Sequence, residues 1–309
     1  MTFRPQHFGL YFTHDQITAA RRNRDREPFR TAYLMLNDRE QTGSEVALWG
    51  AFRYRFNEDE RAGEIAAAAL LRSIDVPPSD DVTYLDTVAQ TIMQVQAFEM
   101  LRDHRALSYA EQVRFLNTLQ MRISSLSQSP YKDTQVENLW MALLVMATGV
   151  AAEHEETFQL GVEVFERTIR DEVSPRGFIP KAVQGNDGGS LYRQILSSSA
   201  LVLMAELASN AGVDLWSYSV RGVSVVTTAL YPIYYFYTPE KWQWDKGVTV
   251  DETQMLFRRY GGYLEMLNRH TQHRDLRPVL EDLRPIYNAH SGGLTTLSHG
   301  LPVKRGLFG

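Results

Sequence analysis

The spacing of apolar residues constrains this chain more than any other feature. Phe158, Val162, Phe165, Ile169 and Val173 recur every three or four positions. Leu85, Val88, Ile92, Val95 and Phe98 do the same, as do Leu256, Tyr260, Tyr263 and Leu267. Side chains at that spacing share one face of an α-helix, so each set is a stripe that has to be covered by another element. Strand signals are thin by comparison. Residues 223–229 are rich in β-branched side chains but lie inside a helical pattern, and residues 231–237 are the one stretch that reads as extended.

Start and stop signals fall at the ends of the stripes. Thr13 with Gln16, and Ser108 with Glu111, have the spacing of capping boxes, in which each side chain bonds the other's backbone N–H. Gly177 and Gly212 stand where helices should end, and Pro77-Pro78 breaks the chain between two stripes. The pattern predicts about a dozen helices, over residues 14–24, 29–38, 44–56, 59–74, 81–104, 109–126, 134–152, 155–172, 190–210, 214–230, 251–270 and 275–288. Many helices, short connections and no sheet point to an all-α fold of stacked antiparallel hairpins. There is no repeat strict enough for a TPR or ankyrin array, and no linker long enough to divide the chain, so one domain over residues 1–309 is expected.

Composition removes several function classes. Hydrophobic residues make up 44% and charged residues 22%, an ordinary globular balance. The net charge of −5 argues against a protein that coats nucleic acid. The absence of cysteine excludes disulfides, thiolate zinc sites, iron–sulfur clusters and cysteine nucleophiles. No apolar run is long enough to span a bilayer. The opening Met1-Thr2-Phe3-Arg4-Pro5 has no apolar signal region, so the expectation is a cytoplasmic protein, or a periplasmic or secreted one that has lost its leader.

Three connections are unusual: 126–133, 174–189 and 231–250. Long loops on a helical scaffold are where sites tend to lie. His270-x-x-His273 lacks an accompanying HExxH-type carboxylate and reads as solvated surface histidines, and His154 among Glu153, Glu155 and Glu156 reads as a charged helix junction. No metal and no cofactor is expected, since there is no nucleophile elbow, Walker loop or dinucleotide fingerprint. Gly185-Asn186-Asp187-Gly188-Gly189 follows no strand and suits a flexible loop or lid better than a phosphate cradle. Trp242 and Trp244 flank a lone Gln243, with Lys241, Asp245 and Lys246 nearby. Such rings either stack on sugar faces or pack between helices. Gln135, Glu137 and Asn138 open a helix and offer polar groups to a cleft, with Trp140 behind them. The alternative is a helix start stabilised by a favourable acid.

Residues 178–216 are distinctive. Phe178-Ile179-Pro180 is followed by Ser190-Leu191-Tyr192-Arg193, by the apolar run from Ala200 to Ala208, and by Gly212-Val213-Asp214-Leu215-Trp216. This resembles the alginate lyase family of polysaccharide lyases, whose members carry a glycine-Phe-Leu-Pro turn, a Tyr-bearing helix, an apolar run and a Gly-x-Asp-Leu ending. Trp140-Met141-Ala142 and Met146-Ala147-Thr148 are similar to that family's Asn-Asn-His-Ser-Tyr-Trp helix and the Met-Ala-Thr after it. The segments from His7 to Thr13 and from Asn57 to Arg61 are similar to its N-terminal region, so the resemblance covers about residues 7–270. It implies an (α/α) toroid, an incomplete barrel of helical hairpins, and an acidic polysaccharide or oligosaccharide as partner. In the register set by Trp140, Gln135, Val136 and Glu137 stand at the family's Asn-Asn-His, so Glu137 replaces the histidine. Gly185 or Asn186 falls near the family's Arg, Tyr192 or Arg193 at its first Tyr, and Ile195 or Leu196 at its second.

A lyase acting on a uronic acid neutralises the carboxylate at C5, removes the C5 proton and protonates the leaving O4. The resemblance implies Tyr192, Arg193 and Glu137 as catalytic candidates: Tyr192 as base and acid, Arg193 as the cation. Glu137 is a carboxylate that repels the substrate or, if neutral, a hydrogen-bond donor. Gln135, Asn138, Trp140, Lys181, Trp242 and Trp244 are the candidate substrate-binding residues. Two other readings stay open: a glycan-binding or scaffold protein with a lapsed site, and a glycoside hydrolase on a helical toroid using Glu137 with Asp187 or another acid.

Overall fold

The computed structural model describes residues 2–39, 41–77, 81–129, 134–185 and 187–303. The chain forms α1 (His14–Arg22), α2 (Phe29–Asp38), α3 (Val46–Asn57), α4 (Glu60–Asp75), α5 (Tyr84–Leu101), α6 (Tyr109–Ser127), α7 (Gln135–Ala151) and α8 (Glu155–Arg167). It continues with α9 (Pro180–Val183), α10 (Ser190–Asn210), a two-stranded hairpin of β1 (Ser219–Val220) and β2 (Val223–Ser224), and α11 (Val225–Leu230). The last elements are α12 (Val250–Tyr260), α13 (Tyr263–Thr271), α14 (Leu276–Leu283) and α15 (Thr295–His299). Both capping boxes read from the sequence close reciprocally, Thr13 with Gln16 and Ser108 with Glu111.

Burial sorts the helices into two layers. α5 buries 15 of its 18 residues and α10 buries 18 of 21. By contrast α6 buries only Phe115, Leu119 and Leu126. Helices that are buried all round form the inner ring, and the striped ones lie outside them. α3 packs on α4 and α7 on α8 as antiparallel hairpins. Around the inside, α3 touches α5, α5 touches α7, α7 touches α10 and α10 touches α13. α13 meets α15, α15 meets α1, and α1 returns to α3. The expected all-α toroid is therefore present, with the short C-terminal helix and the N-terminal helix closing it.

The loop at 288–293 plugs the middle of this ring. Asn288 and Gly293 bond each other's backbones at 3.0 and 2.8 Å. The Gln96 side chain of α5 donates to Gly292 O at 2.9 Å, and Ser291 Oγ meets Ser199 Oγ of α10 at 3.1 Å. Gly292 and Gly293 both have positive φ, and a Cβ on Gly293 would collide with the Phe52 ring of α3. Only glycine combines that backbone with that closeness.

Three expected helices are corrected. Residues 214–230 are a helix only from Val225 onward, because Arg221 and Gly222 both take positive φ (56° and 76°) and turn β1 back onto β2. A two-residue turn of that kind matches the twist of paired strands. The helix expected over 251–270 is broken at Gly261-Gly262, where a Cβ on Gly262 would strike Ser291 O. The helix expected over 275–288 ends at Leu283, since the residue before Pro285 is pushed out of helical geometry. Residues 231–237, expected to be extended, instead begin with a 3-10 turn over Tyr231–Tyr235. Half of the polar loop at 126–133, part of the Pro77-Pro78 break and Asn186 of the glycine-rich loop lie outside the described residues.

Candidate functional site

The inner helices α5, α7 and α10 all begin at one rim of the ring. Thr83 caps α5 and Thr134 caps α7, each accepting the backbone N–H three residues on, from Asp86 and Glu137. α10 has no side-chain cap of its own, and its start is served from a distant loop. The Asp245 carboxylate accepts from Ser190 N at 2.8 Å and from Ser190 Oγ, while Trp242 Nε1 donates to the same hydroxyl at 2.8 Å. A buried anion at a helix N-terminus is electrostatically favourable there.

Tyr192, in the first turn of α10, points into the mouth of the ring. Its ring meets that of Tyr260, the last residue of α12, at 5.1 Å. Burial pushes the Tyr192 phenol well above the ordinary tyrosine range, Tyr260 and Asp86 push it further, and Arg259 pulls the other way. His290, half-buried in the plug loop, also feels Asp86 and Arg259, and Glu45 as well. Burial holds its imidazole below the ordinary histidine range. The mouth thus holds two phenols, an imidazole and the Arg259 guanidinium. Among the described residues Arg259 forms no ion pair with a carboxylate. Tyr260, Arg259, His290 and Asp86 were not singled out from the sequence. Tyr260 and Arg259 belong to a stripe that reads as core. The available signal for His290 was the Gly292-Gly293 pair beside it.

The other candidates divide. Gln135, Asn138 and Lys181 line one cavity of about 410 Å³ with Arg167 and Glu172. Gln135 and Lys181 also face a second one of about 380 Å³ with Asp187 and Arg193. These three polar residues are therefore brought together, on the α7–α9 side of the rim. Glu137 is occupied: its carboxylate accepts from Thr134 N at 3.1 Å and Thr134 Oγ1 at 2.9 Å, completing a capping box. That is the helix-start alternative. No hydrogen bond joins Glu137 to Tyr192 among the described residues.

Arg193 does not act as a free cation. It bonds Asp187 through Nη1 at 2.8 Å and Nη2 at 3.0 Å, Gln184 O at 3.0 Å and Ala182 O at 2.8 Å. Four of its five N–H groups are spent on the loop before α10. The Arg193 hydrogen bonds, with a further one from Gly189 N, hold Asp187 at about 2, below the usual carboxylate range.

Trp140 is 2% exposed, with Nε1 donating to Leu196 O at 3.2 Å, so its face is not available to a sugar. Trp242 is 3% exposed and sits against Tyr235 and Tyr231, so it too is packing. Trp244 is half-buried on Phe178, with Nε1 donating to the Tyr231 hydroxyl at 3.3 Å.

The histidines expected at the surface do lie there, but each has a partner. His270 lies flat on Trp216 at 3.9 Å and bonds the buried Glu206 at 2.7 Å, while His273 stays with Asp275. His154 caps α8, its Nδ1 accepting from Thr157 N at 3.2 Å. Among the described residues no group of three or more His, Asp or Glu side chains is arranged to hold a metal ion. No described helix is long and apolar enough to cross a membrane.

Comparison with known proteins agrees with this architecture. Alginate lyase A1-III from Sphingomonas species A1 superposes with a TM-score of 0.70 at 16% identity, covering 89% of this chain and 78% of that one. A variant of alginate lyase A1-III complexed with tetrasaccharide gives 0.68 at 17% identity, over 90% and 78% of the two chains. An alginate lyase from Bacteroides ovatus gives 0.70 at 12% identity, over 95% and 99%. Identities this low speak for the fold alone. Comparison with curated protein sequences gives no match. The sequence model of the alginate lyase family, however, matches residues 14–242, well over half of the chain. The ring of hairpins, the motifs along α7 and α10 and this match together place the chain in the alginate lyase family of polysaccharide lyases.

Proposed function

We propose that this lyase cleaves a polyuronate by β-elimination at the mouth of the ring, with Tyr192 protonating the leaving oxygen and Arg259 neutralising the uronate carboxylate. The observation that carries the reading is the meeting of Tyr192 with Tyr260 beside Arg259, which has no ion-pair partner among the described residues. Elimination builds negative charge on the carboxylate as the C5 proton leaves, and a guanidinium lying over the Tyr260 ring, 5.4 Å from its centroid, can stabilise that charge. A phenol held above its ordinary range stays protonated at neutral pH and is matched to an alkoxide leaving group. Three helix N-termini at the same rim favour an anionic chain. Gln135, Asn138 and Lys181 are the polar groups we assign to neighbouring sugar units, and Trp244 is the remaining aromatic candidate. Arg193 orders the loop beside them.

Incubation with alginate, glucuronan and other polyuronates tests this. The expected product is an unsaturated uronate with ultraviolet absorbance, formed together with new reducing ends. New reducing ends without that absorbance would mean hydrolysis, and binding without either product would mean a lapsed site.

A further inference from the structure

We propose that His290 is the base that takes the C5 proton, so that the imidazole absent from the start of α7 is supplied instead by the C-terminal plug loop. This role presupposes the reading of the mouth as an elimination site. Its support is positional. The loop is fixed from both sides of the ring, by Gln96 of α5 and Ser199 of α10, and the two positive-φ glycines let it pass against Phe52 and Met266. His290 is itself seated by its backbone N–H on Asn288 Oδ1 at 3.1 Å. Among the described residues neither of its ring nitrogens has a hydrogen-bond partner, so one is available to a ligand. Other histidines are committed: His270 and His299 to Glu206, His154 to the cap of α8.

The charged and titratable groups facing His290 are Asp86 from α5, Glu45 before α3 and Arg259 from α12. Asp86 and Arg259 also act on Tyr192. The two groups are pushed apart in opposite senses, the imidazole toward the neutral base and the phenol toward the neutral acid. These directions suit an imidazole that accepts a proton and a phenol that donates one. Tyr192 alone would have to begin as a phenolate, which its burial, Tyr260 and Asp86 all oppose.

The step balances. A neutral ring nitrogen of His290 takes the C5 proton, and the C–H electron pair becomes the C4=C5 double bond. The C4–O4 bond breaks, and O4 takes the Tyr192 proton. Imidazolium and phenolate are then reset by proton exchange through solvent.

The test compares the wild-type protein with His290→Gln and His290→Ala on the most reactive polyuronate. In the variants kcat is expected to fall about 100-fold or more, the scale of general acid–base catalysis, with KM within a few-fold. The acid limb of the kcat/KM profile should disappear, and added imidazole should restore part of the His290→Ala rate. Full kcat and an intact acid limb in His290→Gln would overturn the assignment while leaving the elimination reading in place. No unsaturated product from the wild type on any polyuronate would overturn that reading, and this assignment with it. A readout that needs no His290 variant is the imidazole resonance of His290 in Tyr192→Phe during titration with an oligouronate. It should move on binding, and an unmoved resonance at saturation would overturn the proposal.

Discussion

Tyr192 and Arg193 are adjacent in sequence and serve different purposes in space. Successive residues of a helix point about 100° apart, so one side chain enters the mouth while the next clamps the loop at 182–187. Tyr192→Phe is therefore expected to lower kcat by about 10²–10⁴-fold while calorimetry finds oligouronate affinity nearly unchanged. Full activity in that variant would remove Tyr192 from the mechanism. Trp242→Ala should act differently from a lost sugar contact. Its ring is buried and its N–H holds Ser190, so chemical denaturation should show a loss of about 3–5 kcal/mol. Unchanged stability with weakened binding would put the ring back in the substrate site. The sequence marks residue types capable of sugar chemistry, but whether a tryptophan faces solvent or core depends on contacts more than fifty positions away, as Trp140 with Leu196 illustrates.

At the scale of elements, the helices that carry the site are legible because their stripes and caps are local. The hairpin at 219–224 and the breaks at 261–262 and 284–285 are less so. The first depends on two residues taking positive φ, and Gly262 is required by Ser291, a neighbour only in the folded chain. The loop before α10 gives a further prediction. Its clamp rests on Asp187 being charged, and the carboxyl titrates at about 2 in the folded state. A depressed carboxylate contributes above its unfolded value of roughly 4 and stops contributing as the pH falls through the folded one. Arg193→Ala should speed amide exchange in residues 184–189 at neutral pH while the inner helices stay protected. Equal protection in both proteins would show that the clamp does not order the loop.

For the whole molecule the question is what closes the ring. Glu206 of α10, almost fully buried, binds His270 of α13 at 2.7 Å and His299 of α15 at 3.2 Å, and Trp216 Nε1 donates to it at 3.1 Å. His299 also reaches Tyr11 O at 2.8 Å, beside the N-terminal helix. The tie therefore spans the seam between the two ends of the chain. Burial alone would raise the Glu206 carboxyl, but bonds from His270 and His299 outweigh it and hold it at about 2. Its contribution is present above its unfolded value of roughly 4 and is lost as the pH falls through the folded one. Glu206→Gln, which leaves the histidines without their anion, should cost about 3–5 kcal/mol at neutral pH, measured by denaturant unfolding. A negligible change would mean that packing alone closes the ring. This closure was not legible in advance: α15 has five residues, too few to show a period, and its partners lie in α10 and at the chain's beginning.

The claim beneath all of this is that the polysaccharide is cut inside the mouth, where the plug loop faces the start of α10. A crystal structure of Tyr192→Phe soaked with an acidic tetrasaccharide addresses it most directly. The account predicts a uronate ring between His290 and position 192, with its carboxylate on Arg259 and C5 facing the imidazole. A saccharide bound only in the cavities beside Lys181, with the mouth empty, would contradict it.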